Sequence, residues 1–166
     1  MMELQQAQNI SQEIIDKLSP YCQPDKCVVA GSIRRKKRLD IHDVDLVLIP
    51  NNQGKFITAC QDIGRLTTKG ALQLILPTGV MLDLYIATPD TWATLLLIRT
   101  GSKEHNIKLC SLARQKGMVL HADGSGLFNV APDLESPYRE ARIAGDTEES
   151  IFEALGLPYK RPEERN

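Results

Sequence analysis

Apolar positions along the chain follow two periods, and their order predicts the architecture. Leu4, Ala7, Ile14, Ile15 and Leu18 recur at helical spacing, and Ser19-Pro20 closes that run. Lys26-Cys27-Val28-Val29-Ala30 is a short β-prone segment ending at Gly31, and Val44 to Ile49 is a second. The turn-rich Pro50-Asn51-Asn52-Gln53-Gly54 closes the second segment. A weaker helical stretch, Phe56 to Ile63, precedes Leu72 to Leu76. The Pro77-Thr78-Gly79 turn then joins this apolar run to Val80 through Ile86 as a predicted hairpin. Pro89 and Asp90 start a helix through Trp92, Leu95, Leu96 and Ile98. Thr100-Gly101-Ser102 interrupts it, and helical character resumes from Lys103 to Lys116 until Gly117. Short β-like pieces follow near Met118 to Leu120 and Leu127 to Asn129. A last helix opens at Thr147, its N-cap, with Glu148 and Glu149 in the first turn. The order, a helix, mixed strands and then helices, predicts an α+β chain with a smaller C-terminal lobe and a boundary near residue 88.

Composition narrows the class without deciding the function. The 166 residues are 42% hydrophobic and 25% charged, which suits a soluble globular protein with a proper core. A net charge of -1 excludes a global positive field, so any attraction to nucleic acid must come from a local patch. One such patch is the unbroken run Arg34, Arg35, Lys36, Lys37 and Arg38. The sequence shows no signal peptide and no apolar span of about eighteen residues, so no membrane partner is expected. Cys22, Cys27, Cys60 and Cys110 form no CxxC pair and have no paired histidines at zinc spacing. They read as free or buried thiols of a reducing, intracellular compartment such as cytoplasm, nucleoid or host cell.

Three aspartates carry the chemistry. Alternate residues of a strand share a face, so Asp43 and Asp45 point the same way while Val44 and Leu46 point into packing. Two such close carboxylates repel unless a cation sits between them, and a hard divalent ion is the natural partner. Asp83 interrupts Val80-Met81-Leu82 and Leu84-Tyr85-Ile86, where a buried carboxylate is costly without a partner. If its strand lies beside Asp43 and Asp45, three carboxylates converge and can hold two metals. Gly31-Ser32 lets backbone approach a phosphate, and Arg35 offers a permanently charged, planar phosphate partner. Strand-edge aspartates facing water and a solvated basic loop are the ordinary alternatives for these motifs.

Gly31-Ser32-x-Arg34-Arg35, then Asp43-x-Asp45, with Asp83 on a later strand, resembles the nucleotidyltransferase palm. Thr100-Gly101-Ser102-Lys103-Glu104-His105-Asn106-Ile107-Lys108-Leu109 is similar to the corresponding stretch of family X DNA polymerases, the group of DNA polymerase beta. The tail from Ile151 to Tyr159 also resembles the end of that family's C-terminal lobe. The resemblance runs from about residue 9 to the end. It implies a palm, a mixed sheet with flanking helices, over 1–88 and a small α/β thumb-like lobe over 89–166. Asp43, Asp45 and Asp83 would be the catalytic metal ligands, for two Mg²⁺ ions or Mn²⁺ in their place. Gly31, Ser32, Arg35, Thr100, Gly101, Ser102 and Asn106 would bind the nucleotide, Asn106 at the minor-groove edge of the nascent base. Arg34, Lys36, Lys37, Arg38, Lys103 and Lys108 would contact DNA.

The departures from the family pattern also carry expectations. No helix-hairpin-helix region precedes the palm, so the chain resembles the very small viral members, without lyase chemistry or 5′-phosphate anchoring. Ile98 and Arg99 replace a frequent aromatic pair, which alters the bulk beside the sugar 2′ position. Cys110 stands where a basic residue often touches the template. The loop Lys36 to His42 is one residue longer than usual, and His42 replaces a small residue before the first aspartate. His105 and His121 read as structural.

The resemblance therefore implies a monomeric, template-directed DNA polymerase that fills short gaps in repair. Its partners would be primer-template or gapped DNA and deoxynucleoside triphosphates. The alternatives are a template-independent nucleotidyltransferase and a nucleotide- or DNA-binding module without catalysis. The Thr100 to Leu109 segment argues against the first, and the complete aspartate trio against the second.

Overall fold

The N-terminal helical run forms α1 (Leu4–Leu18), with Ala7, Ser11, Ile14 and Leu18 buried on one face. The computed structural model describes residues 1–68, 72–130 and 140–166. They belong to two units, Met1–Thr88 and Pro89–Asn166. In the first unit α1 is followed by β1 (Cys22–Val29), the short helix α2 (Gly31–Arg34), β2 (Asp43–Pro50) and α3 (Gln53–Ile63). β3 (Arg65–Leu66), β4 (Leu72–Ile75) and β5 (Met81–Ile86) complete it.

The five strands form one mixed sheet in the order β1-β2-β5-β4-β3. β2 and β5 run parallel at its centre, and every other neighbouring pair is antiparallel. The parallel pair needs a crossover, which α3 and the β3–β4 hairpin provide. Register settles which side chains share a face: Val44 pairs with Leu82 and Leu46 with Leu84. These four are buried and join Ala7, Ile14 and Leu18 of α1 and Phe56, Ala59 and Cys60 of α3 in one apolar core. Each buried aliphatic side chain there contributes about 1.5–3 kcal/mol relative to exposure. The opposite face of the β2–β5 pair carries the aspartates.

β1 is an edge strand, and its pairing with β2 is irregular between Cys22 and Cys27. Pro24 and the left-handed Asp25 (φ 57°) occupy that stretch, where a missing N–H and a bulge are tolerated. The four cysteines are free thiols, three of them buried.

The second unit contains α4 (Trp92–Thr100), α5 (Lys103–Gln115), the strands β6 (Met118–His121), β7 (Gly126–Val130) and β8 (Glu140–Ala144), and α6 (Glu148–Ala154). The strands form a separate antiparallel sheet in sequence order. Leu97, Leu109, Ala113, Leu120, Leu127, Ile151, Phe152 and Leu155 form its own core. Thr147 caps α6 as expected, its hydroxyl accepting from the Ser150 N–H. In the C-terminal tail Arg165 has no exposed surface and donates to Glu148 Oε2 at 2.7 Å. Among the described residues no helix is long and apolar enough to cross a membrane.

Candidate active site

Asp45 and Asp83 are register partners on the parallel strands β2 and β5. Asp43, two residues before Asp45, lies on the same face, opposite Met81. All three are half-buried, between the buried Val44, Leu46, Leu82 and Leu84 of the other face. The alternation read from the sequence therefore does place the carboxylates together, away from the core.

Burial raises the Asp45 carboxyl to about 7, and the negative charges of Asp43 and Asp83 push in the same direction. A hydrogen bond from Tyr85 and the charge of Arg35 oppose that rise. The Tyr85 hydroxyl donates to Asp45 Oδ1 at 3.4 Å. Asp83 has its own neutral partner, Gln73 of β4, whose Nε2 donates to Asp83 Oδ1 at 2.6 Å. On the other side of that amide, the Thr67 hydroxyl donates to Gln73 Oε1 at 3.1 Å.

A hard divalent cation suits this donor set in chemical character, since three acidic side chains repel one another there. Among the described residues, however, no group of three or more His, Cys, Asp or Glu forms a ready-made cation cage. Asp45 and Asp83 are instead hydrogen-bonded to Tyr85 and Gln73.

Gly31 and Ser32, read from the sequence as a turn, form the start of the four-residue helix α2. The Ala30 N–H donates to the Asp45 carbonyl at 2.8 Å, which fixes this segment beside β2. Gly31 has φ +56°, and a β-carbon there would overlap Asp45 Oδ2. Only glycine allows the backbone so near the carboxylate. Ser32 and Arg35 follow, both half-buried. Lys36, Lys37 and Arg38 are exposed, whereas Arg34 is half-buried. The loop after them is tied to the N-terminus: the Leu4 N–H donates to the Arg38 carbonyl at 3.1 Å, and Met2 bridges to Ile41. His42 is exposed.

The remaining predicted residues lie in the second unit. Thr100 is fully buried, and Gly101 (φ 64°) leads through a cis peptide to Ser102, the N-cap of α5. The Ser102 N–H donates to the Arg165 carbonyl at 2.9 Å, which joins this turn to the C-terminal tail. Asn106 is turned back toward α4, its Nδ2 donating to the Ile98 carbonyl at 2.8 Å. Lys103 and Lys108 are exposed on α5. His105 is buried against Phe152, with ring centroids 5.8 Å apart.

Gln73, Tyr85 and Thr67 are not among the candidates read from the sequence. Tyr85 stands two residues after Asp83, so period-two spacing would place it on the aspartate face. Gln73 is the one polar residue in Leu72 to Leu76, a comparable signal. Thr67 carries no such mark.

The chain is similar in sequence and fold to known DNA polymerases. Residues 95–166 match the family model of the DNA polymerase beta thumb. DNA polymerase lambda of Rattus norvegicus is 32% identical over 87 residues, 51% of this chain and 15% of that protein. The DNA polymerase/3′-5′ exonuclease PolX of Bacillus subtilis (strain 168) is 24% identical over 166 residues, 96% of this chain and 27% of that protein. The chain thus spans well under half the length of these curated relatives. Polymerase beta of Leishmania infantum, solved as a ternary P/T complex, superposes with a TM-score of 0.71 at 20% identity. That match covers 99% of this chain and 76% of the other, and it speaks for the fold. A match to the polymerase beta thumb over 95–166, polymerase relatives in sequence and a fold like that of polymerase beta make this chain similar to the family X DNA polymerases.

Proposed function

We propose that the chain is a template-directed DNA polymerase that adds deoxynucleotides to a primer 3′-hydroxyl and releases pyrophosphate. The observation that carries this reading is the pairing of Asp45 with Asp83 across parallel strands, with Asp43 on the same face. In this reading Met1–Thr88 is the catalytic palm and Pro89–Asn166 the lobe that contacts nucleotide and DNA. The work is short-gap repair by a monomer in a reducing intracellular compartment.

Two divalent ions held by Asp43, Asp45 and Asp83, Mg²⁺ or Mn²⁺, would neutralise phosphate charge and acidify the attacking hydroxyl. The protein's own part is placement. Asp83 faces the primer terminus, and the backbone at Gly31, with Ser32 and Arg35, holds the β and γ phosphates. Arg35 presents a planar, permanently charged fork to those oxygens. Thr100, Gly101 and Ser102 run along the sugar of the incoming nucleotide, and Asn106 leaves the Ile98 carbonyl to reach its base. Arg34, Lys36, Lys37, Arg38, Lys103 and Lys108 meet the DNA backbone. Synthesis is distributive and falls steeply with salt, because phosphate contacts of this kind release counterions.

Primer extension on gapped DNA tests the reading, with each template base in turn and with deoxy- and ribonucleotides in parallel. The expected result is Mg²⁺- or Mn²⁺-dependent addition of the complementary deoxynucleotide, abolished by Asp83→Ala. Equal addition opposite all four template bases would favour a template-independent nucleotidyltransferase. Incorporation that survives Asp83→Ala would remove the metal site from the account.

A further inference from the structure

We propose that Gln73 is a positioning residue for Asp83, backed by Thr67, and that this pair sets the carboxylate for cation binding and primer activation. The inference rests on the polymerase reading above and concerns residues that the family motifs do not contain.

The geometry is built from the strands β4 and β5 and from Thr67, the residue that follows β3. Gln73 and Asp83 are register partners on the antiparallel strands β4 and β5, so their side chains leave the sheet on the same face. Gln73 Nε2 stands 2.6 Å from Asp83 Oδ1. On its far side, Gln73 Oε1 stands 3.1 Å from Thr67 Oγ1. Thr67 is itself fixed to the hairpin, its N–H donating to the Gln73 carbonyl at 2.9 Å.

The chemistry orients the amide without ambiguity. An ionised carboxylate only accepts hydrogen bonds, so the Gln73 NH₂ must face Asp83. The amide oxygen then faces Thr67, whose hydroxyl supplies the proton. The result is a directed chain, Thr67 to Gln73 to Asp83, in which each member fixes the rotamer of the next. One Asp83 oxygen, Oδ1, is engaged, and in this role Oδ2 serves an ion or a hydroxyl proton. Partners of a ligating carboxylate act in this way, orienting it and setting its affinity. A neutral donor suits the position, since a cation would pair with Asp83 and compete with a divalent ion. Gln73 touches neither nucleotide nor primer in this role.

The test uses the full chain with two variants. Gln73→Met keeps an unbranched stem of similar length and removes the donor. Thr67→Val keeps shape and leaves Gln73 in place without its backing hydroxyl. Two readouts are taken: Mn²⁺ affinity of the protein alone by calorimetry, and kcat and KM for nucleotide in single-nucleotide gap filling. Gln73→Met is expected to weaken Mn²⁺ binding and lower kcat, each by about tenfold or more. Thr67→Val is expected to move both in the same direction by about threefold, with nucleotide KM within about twofold of wild type in either variant.

Mn²⁺ binding that is unchanged or tighter in Gln73→Met would overturn the proposal, because Gln73 would then be idle or a competitor for Asp83. Equal losses in KM and kcat would also overturn it, by pointing to general disruption of the site. The two readings separate cleanly. A wild-type protein that binds Mn²⁺ but extends no primer sinks the polymerase assignment, while the Mn²⁺ comparison still decides the role of Gln73. A wild-type protein that extends primers alongside an equally active Gln73→Met sinks only the positioning role.

Discussion

Gly31 lies against Asp45 so closely that a β-carbon at position 31 would overlap Asp45 Oδ2 and stand 2.9 Å from its Cγ. The first turn of α2 and the central carboxylate of β2 are thus one unit of construction. Gly31→Ala must move either the backbone, already at φ +56°, or the Asp45 side chain. Backbone strain of this kind costs about 1–3 kcal/mol, and a carboxylate displaced by about an ångström costs roughly a hundredfold in rate. The expected outcome is a folded variant with a lower urea midpoint and primer extension reduced by about a hundredfold or more. Wild-type activity in Gly31→Ala would show that Asp45 tolerates displacement and is not a reacting group.

Asp45 also links the site to stability. Its folded-state carboxyl sits at about 7, raised from 3.8, so the folded protein keeps a proton that the unfolded chain has already lost. Stability from this group is therefore full below 3.8 and declines as pH rises toward 7. Asp45→Asn removes the penalty. Without divalent ions at about pH 8, this variant should have a higher urea midpoint than wild type, and the gap should close toward about pH 4. The same variant should extend no primer. Added Mg²⁺ should stabilise wild type and leave Asp45→Asn nearly unmoved.

His105 produces the opposite slope in the second unit. Burial lowers its imidazole from 6.5 to about 4, with the charges of Arg165, Lys160 and Lys108 adding to the effect and Glu148 opposing it. The unfolded chain binds the proton first on acidification. Stability is thus complete above 6.5 and falls as pH drops toward 4. The slope reaches about 1.4 kcal/mol per pH unit at most. Both ring nitrogens are buried without a hydrogen-bond partner among the described residues, so His105→Phe abandons no hydrogen bond there. Its urea midpoint should match wild type near neutrality and exceed it near about pH 5, and equal acid sensitivity in the two proteins would contradict the assignment.

Periodicity in the sequence is a sound guide where elements are long or firmly punctuated. α1 stops at Leu18 ahead of Pro20, Thr147 caps α6, and the apolar run after His42 is β2. The carboxylate pair is legible as a face of one strand, and Asp83 as a costly interruption of another. Their adjacency is conditional on strand order, because a parallel pairing across a crossover leaves no local trace. Gly31-Ser32 reads as a turn since four residues are too few to display a helical period. The two-residue strand β3 escapes detection for the same reason. Gln73 stands out as the one polar residue of an apolar run, but its partner appears only once register sets it opposite Asp83. Asn106 shows the limit of motif matching: its spacing is a feature of α5, but its rotamer answers to the Ile98 carbonyl.

The basic segment divides by exposure, and the two jobs proposed for it are separated by different measurements. Arg35 is half-buried and near enough to Asp45 for its charge to lower that carboxyl's pKa, whereas Lys36, Lys37 and Arg38 are exposed beyond it. In the proposed reading the half-buried guanidinium beside a carboxylate would hold the triphosphate, while the exposed cations would meet a polyanion through counterion release. Replacing Lys36, Lys37 and Arg38 together with alanine should weaken gapped-DNA binding at every sequence alike. The slope of log affinity against log salt should shrink by about 0.9 for each phosphate no longer neutralised, approaching about 3 if all three cations act. Arg35→Lys should instead raise nucleotide KM and leave that slope untouched, since the charge stays but the planar fork is gone. Fluorescence anisotropy across a salt series and steady-state gap filling supply the two numbers. If Arg35→Lys shifts the salt slope and the triple variant does not, the roles are reversed. The path of the DNA would then run over the α2 turn itself rather than across the exposed cations that follow it.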